Sequence, residues 1–284
     1  MSSADAGSGA AGTLYLVSTP IGNLGDMTYR AVEVLSSTAL VIAEDTRHSR
    51  RLLDHYRIAT PLRSYHEHNE AKETPRLVAR LLAGDSIALI SDAGTPLISD
   101  PGSRLVGAAV DAGVKIVPVP GASAVMAALV GSGLALDRFT FFGFLPRKGK
   151  ERTEALAQIA ASRVTVVLYE APNRVGDTLR ELDASGAGDR RAVVARELTK
   201  QFEEFRRGSV AELAAVYGEV DPKGEVVLLV AGGYNAELSE GDLSAAAAEL
   251  RAAGKSARDI MEHLVSALGA SRNTAYKIAH QSSS

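Results

Sequence analysis

The chain contains no cysteine and no tryptophan. Without thiols it forms no disulfide and offers no thiolate to a metal, and such a composition suits a reducing compartment. Aromatic residues make up only 5% of the chain, too few for an extended base-stacking platform. No apolar run approaches the roughly twenty residues that span a bilayer. The start, Met1 to Gly12, is small, polar and glycine-rich. It lacks the charged start and apolar stretch of a secretion signal, so we expect a disordered tail over 1–12 on a cytoplasmic protein. The formal net charge of −3 provides no whole-chain attraction to nucleic acid, so any such contact must come from local patches. Neither the dinucleotide pattern G-x-G-x-x-G nor the phosphate loop G-x-x-x-x-G-K-[ST] follows a predicted strand. That argues against an NAD enzyme or an NTPase.

What is present is enough apolar sequence, 46% of 284 residues, for two cores. From Thr13 onward, short β-rich runs alternate with helical periods. Strands are expected at Leu14–Ser18, Leu40–Ala43, Ile87–Ile90 and Lys115–Val119, and helices between them carry Leu35, Leu52 with Leu53, and Leu77 with Leu81. Asp100-Pro101 reads as an N-cap followed by proline at the first helical position. This alternation predicts a mainly parallel sheet covered on both faces. The register changes near Phe139–Leu145, and the boundary is placed close to Pro146. A second α/β set follows, with strands Val164–Tyr169, Ala192–Arg196 and Val226–Ala231 and a charged segment running to Arg207. The expected organisation is 13–145, 146–235 and a helical appendix over 240–284 that resembles helix-turn-helix.

Open parallel sheets bind ligands beyond the carboxyl ends of their strands. Three loops leave strand ends with suitable composition: Thr19–Asn23, Asp92–Pro96 and Gly121–Ser123. Glycine permits close backbone approach to a ligand, and proline stiffens the loop. A carboxylate such as Asp92 can hold ribose hydroxyls or balance a sulfonium, and N–H groups near Ser123 can hold a carboxylate. The same loops read equally as ordinary β–α turns with helix caps.

Six blocks occur in order: LYLVSTPIGNLGDMTYRA, VIAEDTRHSRRLL, LISDAGTPLISDPG, VPVPGAS, LYEAPNRV and ARELTKQFEEFRRG. Over nearly the whole chain they resemble the ribosomal RNA small subunit methyltransferase I family of the tetrapyrrole-methylase superfamily. The resemblance implies a two-domain α/β fold, each domain a mainly parallel or mixed sheet flanked by helices. It further implies S-adenosyl-L-methionine in the cleft between domains, a homodimer, and 2′-O-methylation of a cytidine in the decoding region of small-subunit (16S) rRNA. Carried over by position, the cofactor residues are Pro20, Asp92, Ala93, Gly94, Thr95, Ser123 and Ala124. Tyr169 and Leu198 close the cleft from the second domain. Relatives usually read Gly-Asp-Pro where this chain has Ser91-Asp92-Ala93.

A ribose 2′-hydroxyl must lose its proton as it attacks the methyl group, so a base adds to what positioning supplies. Glu44, Asp45, Glu197 and Lys200 are the candidates; as alternatives, Asp45 caps a helix and Glu197 pairs with Arg196. A lysine base would need its pKa lowered. Candidate RNA contacts are Arg47, Arg50 and Arg51 on one helix, then Arg147, Lys148, Lys150 and Arg152 at the boundary, and Arg174. The bland reading of each is a solvated charged face. His66-x-His68 lacks an evident third metal ligand, so no metal is expected there. From Arg251 the tail holds five Lys/Arg against two Asp/Glu, with Arg272 and Asn273 starting its last helix. Two other readings stay open: methylation of a porphyrinoid precursor, and a non-enzymatic nucleic-acid-binding protein.

Overall fold

A computed structural model describes residues 11–233, 240–266 and 270–280. Most of the expected 1–12 tail, and Leu268 and Gly269 of the appendix, lie outside the described residues. The first half runs β1 (Thr13–Val17), α1 (Tyr29–Ser37), β2 (Leu40–Ala43), α2 (Thr46–His55), β3 (Leu62–Ser64), α3 (Glu70–Leu82), β4 (Ile87–Ile90), α4 (Ser103–Asp111), β5 (Lys115–Val119) and α5 (Ala124–Ser132). Its strands form one parallel sheet in the order β3-β2-β4-β1-β5. The central strands are apolar without a break because both faces are covered. Ile87 and Leu89 point to α3 and α4, joining Leu77, Leu81 and Leu105. Ala88 and Ile90 point the other way, to Ala31, Leu35 and Leu53 of α1 and α2.

The second half runs β6 (Phe139–Phe144), α6 (Lys150–Ala161), β7 (Thr165–Glu170), α7 (Val175–Leu182), β8 (Arg191–Arg196), β9 (Glu204–Ser209), α8 (Val210–Tyr217) and β10 (Val226–Val230). This sheet, β6-β7-β10-β8-β9, is mixed: β6 and β7 are parallel and the other pairs antiparallel. Three sequence expectations change here. Phe139–Phe144 pairs with β7, so the chain has passed to the second sheet before Phe139, ahead of the boundary expected near Pro146. The charged segment to Arg207 ends in a strand, β9, whose edge position tolerates exposed charge. Asp100-Pro101 caps nothing: α4 starts at Ser103 behind Gly102, whose φ of 133° turns the chain.

One face of the second sheet is covered by α6, α7 and α8. The other packs on α5, whose Val125, Ala128 and Leu129 meet Val167, Val193, Val227 and Leu229. Helix α5 therefore leaves the first sheet through β5 and seals the second. A helix apolar around most of its circumference, AVMAALVGS, suits that position. After the second sheet, α9 (Glu240–Ala252), α10 (Ala257–Ser266) and α11 (Arg272–His280) share a small core of their own, with Ile260 and Leu264 at the expected helical spacing. Among the described residues no helix is long and apolar enough to cross a membrane.

Two glycines make opposite predictions. A Cβ on Gly176 in α7 would lie 2.1 Å from the Tyr217 carbonyl oxygen of α8, so Gly176→Ala should force the helices apart and cost about 2 kcal/mol. A Cβ on the exposed Gly107 of α4 meets nothing within 4 Å, so Gly107→Ala should stabilise by about 0.5–1 kcal/mol. Denaturant unfolding of both variants checks the pair.

Candidate active site

The loops leaving β1, β4 and β5 are tied together at one end of the first sheet. Thr19 and Gly94 exchange backbone hydrogen bonds of 2.8 and 3.0 Å. Thr19 Oγ1 donates to the Ser91 carbonyl at 3.1 Å, Ser91 Oγ donates to that of Gly94 at 2.9 Å, and Ser18 Oγ lies 3.1 Å from Thr95 Oγ1. Gly94 has a φ of 81°, and a Cβ there would stand 3.2 Å from Ile21, so the turn needs glycine. The Asp45 N–H donates to Asp92 Oδ1 at 3.1 Å, which brings the end of β2 to the same place.

A cavity of about 370 Å³ opens above these loops and is closed from the second sheet. Asp92, Ala93, Gly94, Thr95, Ser123, Ala124, Tyr169 and Leu198, all singled out from sequence, line it. Pro20 does not: it is buried in its loop, and its neighbour Ile21 forms the wall instead. The second half adds Glu170, Pro172 and Gly224–Val227.

Asp100, read from sequence as a helix cap, also lines the cavity. Burial, then the nearby charges of Glu44 and Asp92, push its carboxyl up to about 6. Tyr169 is raised too, by burial and then by the Asp100 charge. The backbone around Asp100 is strained, with Leu97 at φ 71° and Ser99 at φ 67°. A local signal was available in the sequence: Ser-Asp-Pro-Gly crowds a proline and a glycine into the segment between β4 and α4, which favours an irregular turn.

The four residues that the sequence offers as candidate bases, none of which stands out there, fare differently. Asp45 caps α2, accepting from the Arg47 and His48 N–H groups, and the Arg47 N–H holds it below the ordinary carboxylate value. Glu44 is exposed and outside the cavity wall. Lys200 Nζ bonds Glu197 Oε1 and Glu225 Oε2, each at 2.9 Å. Burial alone would pull the ammonium down, but these two bonds outweigh it and hold Lys200 above the ordinary lysine value. That is the reverse of what a lysine base needs. Glu197 is lowered in turn, chiefly by its bond to Lys200. The Lys200 stem crosses Gly22 of the first half, where a Cβ would lie 2.5 Å from Cε.

The basic cluster at the boundary divides in two. Arg147, Lys148 and Lys150 are exposed, as are Arg47, Arg50 and Arg51 of α2. Their nearest ion pairs, such as Lys150–Glu154 at 3.4 Å, are solvent-screened and worth little. Arg152 is withdrawn from any RNA-facing surface. It is 6% exposed and donates to Glu181, to Thr178 Oγ1 and to the Pro146 carbonyl. Arg174 is likewise engaged, with Glu170 at 3.4 Å and with the Leu145 and Pro146 carbonyls. Both arginines hold the turn that presents Arg147 and Lys148. His66 and His68 meet edge to face at 5.9 Å, and among the described residues no three His, Asp or Glu side chains group as metal ligands. Arg272 and Asn273 are exposed at the start of α11.

The position of Asp100 has a consequence for stability. Because its folded pKa lies above the unfolded one, its contribution to folding is fully present below about pH 4 and is lost as pH rises through about 6. Asp100→Asn should therefore match the parent near pH 4 and exceed it at pH 8 by about 1 kcal/mol, allowing for partial exposure. Chemical denaturation at both pH values measures this; a difference that does not vary with pH would contradict it.

Comparison with known proteins agrees with this architecture. Residues 13–214 match the family model for tetrapyrrole (corrin/porphyrin) methylases. The chain is 52% identical over 221 residues to ribosomal RNA small subunit methyltransferase I of Synechocystis, covering 78% of this chain and 79% of that one. It is 49% identical over 244 residues to the protein of the same name from Pseudomonas aeruginosa, covering 85% and 86%. Among solved structures it is similar to uroporphyrin-III C-methyltransferase from Thermus thermophilus complexed with S-adenosyl homocysteine, with TM-score 0.56, 18% identity, and coverage of 78% and 97%. The methyltransferase CobJ gives TM-score 0.60 at 17% identity, with coverage of 78% and 95%. Two α/β sheets with a cleft at their junction, and about half of the residues shared across both, place this chain in the ribosomal RNA small subunit methyltransferase I family of the tetrapyrrole methylases.

Proposed function

We propose that this protein transfers a methyl group from S-adenosyl-L-methionine to the ribose 2′-oxygen of a cytidine in the decoding region of 16S rRNA. The observation that carries the reading is the extent of identity to relatives named for ribosomal RNA methylation, which spans both halves of the cleft.

The cavity fits such a cofactor chemically. Ser123 and Ala124 at the N-terminus of α5 suit a carboxylate, since the helix dipole and free N–H groups favour negative charge there. Asp92 uses Oδ1 for the Asp45 N–H, which leaves Oδ2 for ribose hydroxyls. Leu198, Val226 and Val227 supply an apolar wall for a purine. The bound cofactor supplies an electrophilic methyl on a cationic sulfur. The chain's part is to orient the two reactants, exclude water and receive a proton.

The charges near the cleft also favour RNA over a porphyrinoid acid. Glu44, Asp92 and Asp100 lie close together there and would repel a polycarboxylate macrocycle. A ribose is neutral and can enter, while its phosphates stay on the exposed cations Arg147, Lys148 and Lys150. Purified protein should add one ribose methyl to a cytidine of 16S rRNA in small subunits from a strain lacking the gene, read by mass spectrometry. Absence of that methyl, under conditions where S-adenosyl homocysteine binds, would sink the proposal. Reversing Arg147 and Lys148 to Glu should weaken RNA binding roughly tenfold and reduce the slope of log affinity against log salt by roughly two.

The reading includes a cytoplasmic protein that works as a homodimer. Met126 and Val130, four apart on α5, are 51% and 71% exposed, an apolar face that a second copy would cover. Val130→Asp should shift the mass measured by light scattering from dimer to monomer without unfolding the chain; a monomeric parent would refute the dimer.

A further inference from the structure

We infer that Asp100 is the proton acceptor for the ribose hydroxyl, an inference that rests on the methyl transfer proposed above. The carboxylates of the cavity wall are nearly all engaged. Asp92 accepts from the Asp45 N–H. Glu170 accepts from the Ala171 N–H and Thr178 Oγ1 and pairs with Arg174. Glu225 is bound to Lys200. Asp100 alone among them has no hydrogen bond or ion pair with the described residues, although it is only partly exposed. A half-buried acid without a partner is costly to fold around, so its retention in a cleft points to a use there.

Its loop is built to hold it in place. Leu97 and Ser99 adopt left-handed backbone, which costs energy for residues other than glycine. Gly102 closes the loop at φ 133°, where a Cβ would stand 2.7 Å from Leu89 of the sheet. From the second half, Gly143 leaves room for the Ser99 side chain, 3.2 Å from where its own Cβ would be. The loop that carries Asp100 is thereby held between a core strand and the opposite wall.

Burial first, and then the charges of Glu44 and Asp92 from the first half, raise its proton affinity, while Tyr169, Glu170 and Glu225 line the same cavity from the second half. The nearby cations Arg174 and Lys200 are taken by Glu170 and by Glu197 with Glu225. At neutral pH Asp100 is ionised, yet close enough to its pKa of about 6 to accept a proton readily. In the step, Asp100 takes the hydroxyl proton while the O–H electron pair becomes the new C–O bond. The C–S pair leaves with sulfur, which becomes a neutral thioether. Solvent then removes the proton as products leave.

The test uses the full chain, 16S rRNA in unmethylated small subunits, and S-adenosyl homocysteine as binding probe. In the parent, the single-turnover rate should rise with pH through one ionisation near 6. Asp100→Asn should lose about a hundredfold in rate and lose that limb, while binding of S-adenosyl homocysteine and of RNA each stays within about threefold. A variant that keeps a third or more of the parent rate overturns the inference. So does one that loses probe binding tenfold, because Asp100 would then be holding cofactor. A second measurement needs no turnover: the Asp100 carboxyl, followed by carbon NMR, should titrate near 6 and shift downward in Glu44→Gln. A midpoint below about 4.5 overturns the inference as well. A parent that binds the probe and leaves rRNA unmethylated overturns the proposed function instead, so the two failures are separable.

Discussion

The packing of α5 against the second sheet is the contact on which the rest depends. The helix continues directly from β5 of the first sheet and presses Val125, Ala128 and Leu129 onto the apolar face of β7, β8 and β10. Val and Leu side chains such as Val125 and Leu129 contribute about 1.5–3 kcal/mol each when fully buried, so the junction is a true core rather than a polar seam. That burial fixes where the helix N-terminus points. It points into the cavity, and the loops that leave the parallel strands open toward the same space.

Two further devices keep the halves in register. Lys200 reaches from the second half across Gly22 of the first and ends between Glu197 and Glu225. Its ammonium is only partly screened, and the two carboxylates offset the cost of removing it from water. The loops on the opposing walls also share a backbone property. Leu97 and Ser99 on one side, and Glu197 and Thr199 on the other, all have positive φ. Strain of this kind persists only where surrounding structure enforces it, and here it collects on both lips of the cleft.

Much of this was legible in the sequence, for reasons specific to each element. The unbroken apolar runs of β2 and β4 read directly as strands covered on both faces. The Gly- and Pro-containing loops behind β1, β4 and β5 marked the end of the sheet where the cavity opens, and most residues named there do line it. Asp100 was misread because Asp-Pro before a helical period is also the local pattern of an N-cap, and only the turn at Gly102 separates the two. Arg152 was misread because a basic run looks solvated until the helix containing it is packed. The periodicity of α6 turns this one arginine inward, to Glu181 and Thr178. Phe139–Phe144 could not be assigned to a sheet, because strand pairing depends on a partner more than twenty residues away.

The loops that line the cavity behind the parallel strands were therefore determined by the sequence alone, since turn residues and apolar periodicity are local properties. Tertiary structure decided which charges matter. It sequestered Arg152 and Arg174, kept Lys200 ionised, and left Asp100 without a hydrogen-bond or ion-pair partner among the described residues of the cleft. The physical reason is that proton affinity and availability depend on burial and on neighbours brought from distant segments. Glu44 and Asp92 come beside Asp100 through the first sheet, and Tyr169 reaches it only because α5 joins the second sheet to the first.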